Sequence, residues 1–108
     1  MSLISKELNH DLTDGNYTSE AIQANGHNLI ASVLFSNLSN DSATIELEQS
    51  VDGENWGTVP DSTKSLNAGQ PSHSWNVIGL VRGAFLRINL KPATCTGTLL
   101  TLKVLSNE

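Results

Sequence analysis

Residues 44–59 read TIELEQSVDGENWGTV, and the fold turns on what this stretch does. Ile45, Leu47 and Val51 share one parity, while Thr44, Glu46, Glu48 and Ser50 share the other. Successive side chains of a strand point to opposite sides of a sheet, so the alternation predicts a strand over 44–51 with one buried and one wet face. Asp52 and Gly53 then break it. A short acid can bond the backbone of its own turn, and glycine reaches a positive φ without a Cβ clash. Behind this turn stands Trp56, one of two tryptophans in the chain.

Loop length decides which way Trp56 points. A four-residue loop, 52–55, pairs Val51 with Trp56, whereas a two-residue turn pairs Gln49 with it. Either way an odd position meets an even one, which puts the indole on the side of Ile45 and Leu47. Only an odd-length loop would turn it outward. The four-residue loop is preferred because the shorter one would aim Glu54 at the core. Trp56 is therefore expected in the core, with a ligand platform as the alternative, since aromatics beside sandwich loops stack on sugars or partner surfaces. Trp75, in SHSWNVIGL, shares a parity with Val77, while Asn76, Ile78 and Leu80 share the other. Its direction stays open between core and subunit interface, and it counts among the candidate partner contacts.

The same period recurs on both sides. AFLRINL (84–90) places Leu86, Ile88 and Leu90 inward and Arg87 and Asn89 outward; TLLTLKVL (98–105) places Leu100, Leu102 and Val104 on one face, with Leu99 and Leu105 leaving the other partly apolar. NLIASVLF (28–35) is apolar on both parities, which fits a central strand covered on two sides or one whose outer face meets another subunit. Further strands are expected at 3–8, 17–24, 62–67 and 73–80. Turn formers separate them: TDGN at 13–16, ANGHN at 24–28, SNLSNDS at 36–42, NAGQPS at 67–72 and KPATCTG at 91–97.

About eight or nine short strands with a turn signal roughly every ten residues predict an all-β fold, an antiparallel β-sandwich of jelly-roll or immunoglobulin-like type. At 108 residues the chain is one domain's length. Residues 13–108 are assigned to it. Residues 1–12 are set apart as an N-terminal arm that orders on a partner, with a short helix or a strand as alternatives; Leu3, Ile4 and Leu8 would be its contact residues.

Composition narrows the function. Ser, Thr and Asn supply 33 of the residues and no run free of breakers is long enough for a helix to grow. Eleven acidic and six basic residues give a net charge of −5, and the basic ones are scattered, which argues against nucleic acid as a partner. MSLISKELNH lacks the pattern of a secretion signal, and no apolar run approaches the roughly 20 residues that cross a bilayer, so no membrane role is expected. The single cysteine, Cys95 in ATCTGT, has no base beside it and reads as a small half-buried residue. His10, His27 and His73 fall in three separate places without metal-ligand spacing. Asp52, Glu54, Asn55 and Asp61 could offer oxygens to calcium, but the spacing matches no calcium loop and a solvated turn is preferred. No phosphate loop, nucleophile elbow or histidine triad can be assembled, so no catalytic residues, cofactor or metal are assigned and an enzyme is not expected. NYT, NLS and NDS fit the glycosylation rule by chance in an Asn- and Ser-rich chain.

The run IELEQSVDGENW, then FLRINL, then TGTLLTLKVL, resembles a group of small sandwich proteins from the structural gene clusters of tailed bacteriophages. The matching residues are Ser50, Asp52, Gly53, Asn55 and Trp56, then Phe85 and Arg87, then Gly97 and Thr98, and the likeness spans about residues 17–106 in order. The resemblance implies a non-enzymatic virion protein made in the host cytoplasm: a capsid decoration or auxiliary protein, or a piece of tail or fibre. Its partners would be other copies of itself, a trimer among the forms this could take, and a capsid or tail protein. Sugar-binding sandwiches share parts of the pattern, which keeps a carbohydrate-binding module using Trp56 or Trp75 as the alternative.

Overall fold

The computed structural model describes residues 2–24, 26, 28–78 and 83–107. His27 and Leu80 of the sequence reading lie outside them. The described elements are strands β1 (Ser2–Asp11), β2 (Tyr17–Thr18), β3 (Ile22–Gln23), β4 (Asn28–Ser36), β5 (Thr44–Ser50), β6 (Gly57–Thr58), β7 (Lys64–Ser65), β8 (Ser72–Ile78), β9 (Phe85–Lys91) and β10 (Thr98–Asn107), with one 3₁₀ turn at Leu12–Asp14. Every pairing is antiparallel.

Four strands form one sheet in the order β1-β10-β4-β8. The second runs β2-β9-β5-β6, with β3 also on β9 and β7 also on β5. The pairs nest: β1 with β10, β2 and β3 with β9, β4 with β8, and β5 with β6 and β7. One long hairpin, rolled so that β10 meets β4 and β9 meets β5, gives this order. It is the jelly-roll arrangement rather than the immunoglobulin one. The two-residue strands β2 and β3 serve as one strand, as do β6 and β7, so the outline has eight.

Alternation builds the core between the sheets. Ile45, Leu47, Leu86, Ile88 and Leu90 from the larger sheet meet Leu29, Val33, Phe35, Leu102 and Val104 from the smaller, all at most 5% exposed. The residues expected as strand 3–8 and as an arm are β1, which pairs with β10 from Ser2↔Ser106 to Asp11↔Thr98. Residues 2–12 thus belong to the sandwich itself, and Leu12 is buried against it. Ile4 and Leu8 are half-buried and pack on the core, because even positions of β1 face inward; Leu3, at 63% exposure, faces out.

Two expectations are corrected by register, and a third, the partner-contact role of Trp75, by packing. β5 pairs Glu48 with Thr58 and Gln49 with Gly57, which brings Ser50 opposite Trp56 and leaves 51–55 as an odd-length loop. Two side-chain caps close it: Ser50 Oγ accepts from the N–H groups of Asp52 and Gly53, and Asp52 Oδ1 accepts from those of Glu54 and Asn55. Gly53 takes φ 77°. Trp56 therefore lies half-exposed on the outer face, not in the core, and Val51 is a loop residue, 91% exposed. Second, β10 slips one residue against β4 between Leu99 and Thr101. Leu99 takes the core place, fully buried, and the bulged Leu100 is only half-buried. Third, Trp75 is 6% exposed and its indole N–H donates to the Ser62 carbonyl at 2.6 Å, so it holds β8 to the 59–63 loop and is not available as a partner contact.

Gly97, at the entry to β10, has φ 135° and sits so close to β4 that a Cβ there would lie 2.8 Å from the Ser36 carbonyl oxygen. Its own carbonyl accepts from the Leu12 N–H. This glycine permits the ends of β1, β4 and β10 to meet.

Candidate functional site

β4 is central in its sheet, yet among the described residues only one of its faces is covered. Leu29, Ala31, Val33 and Phe35 point inward, while Ile30 and Leu34 stand outward at 46% and 40% exposure. The ladders set these beside their neighbours: Leu3 opposite Leu105, Leu105 opposite Ile30, and Asn28 opposite Ile78. Leu3, Leu105 and Ile30 thus form one apolar row across three strands; on β8 it meets Asn76, and Ile78, 83% exposed, stands diagonally beside Ile30, two residues along. A hollow of about 420 Å³ lies there, walled by Ile30, Ile78, Leu105, Asn28 and Asn76. The next row, Ser5–Lys103–Ser32–Ser74, is polar but carries one charge only. These Leu and Ile side chains form one exposed apolar group.

The outer face of the larger sheet is built differently. Arg87 Nε donates to Glu48 Oε1 at 2.8 Å across the β5–β9 ladder, and the guanidinium carbon lies 4.1 Å from the centre of the Trp56 ring. Asn89 Nδ2 donates to Glu46 Oε1, Thr63 Oγ1 donates to the other Glu46 oxygen, and Thr18 Oγ1 donates to Asn89 Oδ1. Here charge and polarity are answered within the chain.

The Asp52 carboxylate is committed to its loop. Bonds from the backbone of Asn55, then of Glu54, then from the Asn55 and Ser50 side chains, hold its pKa far below the ordinary 3.8. Those donors occupy the lone pairs that a cation would need. Among the described residues, no three of His, Cys, Asp or Glu gather in a way that could hold a metal ion. Cys95 is buried at the loop contact with Ser39. His10 stacks on Tyr17 with 4.6 Å between ring centres and donates from Nε2 to the Gly15 carbonyl. His73 is buried on β8 with its ring edge toward Phe35, and its Nε2 has no hydrogen-bond partner among the described residues. Burial, and then the nearby Lys64 charge, push its pKa below 6.5 against a bond that the ring donates to the Gln70 backbone.

Of the residues singled out from the sequence, Ile45, Leu47, Leu86, Ile88 and Leu102 meet in the core, and Asp52 and Gly53 form the turn. Leu3 alone of the expected contact residues is fully on the surface. Ile30, Leu34, Ile78 and Leu105 were not singled out; the two-sided apolarity of 28–35 and the apolar second parity of 98–105 were the signals that point to them. No helix among the described residues is long and apolar enough to cross a membrane. No protein-family model, curated protein or solved structure matches the chain.

Proposed function

We propose that this protein is a non-enzymatic structural component that attaches to other copies of itself and to the surface of a larger particle, as a capsid decoration or auxiliary protein of a phage virion would. The particle assignment comes from the sequence resemblance. The observation that carries the attachment reading is the apolar row Leu3–Leu105–Ile30, extended by Ile78, on an otherwise uncovered sheet face. Covering apolar area returns roughly 25 cal/mol per Å², a gain that this face makes only against another molecule. Light scattering of the chain, with co-sedimentation on purified empty capsids of a tailed phage, tests it. The wild type should pellet with the shells, and an Ile30→Glu variant with unchanged thermal unfolding should not. A chain that stays in the supernatant, or a variant that binds as well as wild type, overturns the proposal.

A second reading, glycan binding, keeps one specific support: the Trp56 ring is half-exposed beside Arg87 and Glu48 on an outer face. Trp75 no longer contributes, being buried. Under this reading sugar should shift the Trp56 emission and leave that of a Trp56→Phe variant unchanged. Emission indifferent to every sugar tested removes it.

A further inference from the structure

We propose that two copies of this chain join edge to edge through β8, antiparallel about a two-fold axis, so that two four-stranded sheets become one of eight strands. The proposal rests on the attachment reading above and names the surface through which copies meet.

The edges of the two sheets are not equally protected. β1, one edge of the smaller sheet, carries Lys6, Glu7 and Asp11 and breaks its register between Glu7 and His10. Charge and bulge are the devices that stop another strand from adding to an edge. The edges of the larger sheet consist of strands of two residues each, too short to act as a template. β8, the remaining edge, has neither device. Its seven residues, SHSWNVI, carry no carboxylate, lysine, arginine or proline, and its ladder with β4 runs unbroken from Leu34↔Ser72 to Asn28↔Ile78. No strand among the described residues pairs with its far side. There, every second residue turns its N–H and C=O outward.

A two-fold axis selects the register. Inner faces stay inner only when even positions meet even ones and odd meet odd. Within that limit, all seven residues pair when Trp75 stands opposite Trp75 of the second copy. Ser74 then faces Asn76 of the second copy, and Ile78 faces Ser72 of the second copy, with Leu34 one strand beyond it. The small serine lets two exposed aliphatic side chains, Ile78 at 83% and Leu34 at 40%, share one row across the junction. Symmetry repeats that row.

Charge agrees. A cleft of about 460 Å³ is lined by residues 74–77 of β8 and by Asp61 and Lys64. That charged pair is neutral in sum and offers both signs to a two-fold mate, on a molecule whose net charge of −5 repels its copies elsewhere. The contact is smaller than the roughly 800 Å² per partner of a standard stable interface, so the dimer should depend on concentration.

Sedimentation velocity of the full chain between about 1 and 300 μM tests this, because the expected dissociation constant falls inside that range. A monomer–dimer equilibrium is expected. Ser74→Lys with Asn76→Lys changes two exposed outward side chains, so the fold is kept, as circular dichroism will show. This variant should dimerise at least tenfold more weakly, and mixing it with a Ser74→Glu, Asn76→Glu variant should restore dimers, because lysine then faces glutamate. A chain monomeric at every concentration, a trimer, a like-charge variant that dimerises as wild type does, or a mixture that fails to recover each overturns the β8 dimer. The capsid assay with the lysine variant is independent. Binding retained there leaves attachment intact while the dimer is judged, and a dimer on a chain that binds no shell separates the two in the other direction.

Discussion

On the outer face of the larger sheet, Glu48 holds Arg87, Arg87 underlies the Trp56 ring, and Asn89 links Glu46 with Thr18. On the outer face of the smaller sheet, Leu3, Ile30, Leu34 and Ile78 remain in water. Both faces come from the same strand alternation, and both cover the same core. The first is held together by the chain's own side chains, each interaction being worth little in water. The second keeps a hydrophobic cost that only another surface removes. Function is best sought on the face that folding has not finished.

The two tryptophans give that comparison its largest test. Trp75→Ala removes a buried indole that ties β8 to the 59–63 loop, and should cost about 3–5 kcal/mol in denaturant unfolding. Arg87→Ala leaves the half-buried Glu48 without its partner and should cost about 1–3 kcal/mol by the same measurement. Trp56→Ala removes a ring from the finished outer face and should cost about 1 kcal/mol or less. A Trp56 effect as large as that of Trp75 would erase the distinction between the positions.

Acid should act on the smaller sheet first. His73 has a folded pKa below its ordinary 6.5, so on lowering the pH through 6.5 the unfolded chain takes up a proton that the folded one refuses. Stability from this group is fully present above 6.5, declines as the pH falls toward the depressed folded value, and levels off beneath it. Thermal unfolding between pH 7 and pH 5 should show the decline, and His73→Gln should flatten it. The smallest effect is expected for Ile30→Thr, which should leave unfolding within about 0.5 kcal/mol of wild type while lowering binding of a hydrophobic dye.

Much of the sandwich was legible in the chain because burial writes period two directly into Ile45, Leu47, Leu86, Ile88 and Leu102. The misreadings all fall where one residue shifts the phase. Trp56 faces outward because serine and aspartate caps stabilise a loop of odd length, a preference that strand parity does not register. Leu99 displaces Leu100 from the core because the ladder slips there, and nothing in a row of leucines marks which member is extra. β1 carries no strong pattern of its own, and its place is set by the long β10 beside it, through contacts distant in sequence. The exposed row was half-visible, since apolarity on both parities of 28–35 announces a second apolar face without showing that it stays open.

The slip at Leu100 also bears on how this sequence can change length. Leu99 pairs with Phe35 and Thr101 with Leu34, neighbouring positions on β4, so a chain lacking Leu100 would keep every such partner on both sides of the gap. Against β4 the strand has one residue to spare at this level, whereas on its other side β1 sets Leu8 and Asn9 against it. A deletion that would scramble inside and outside along β4 anywhere else in β10 keeps the alternation here, and the two facing residues of β1 must then shorten with it.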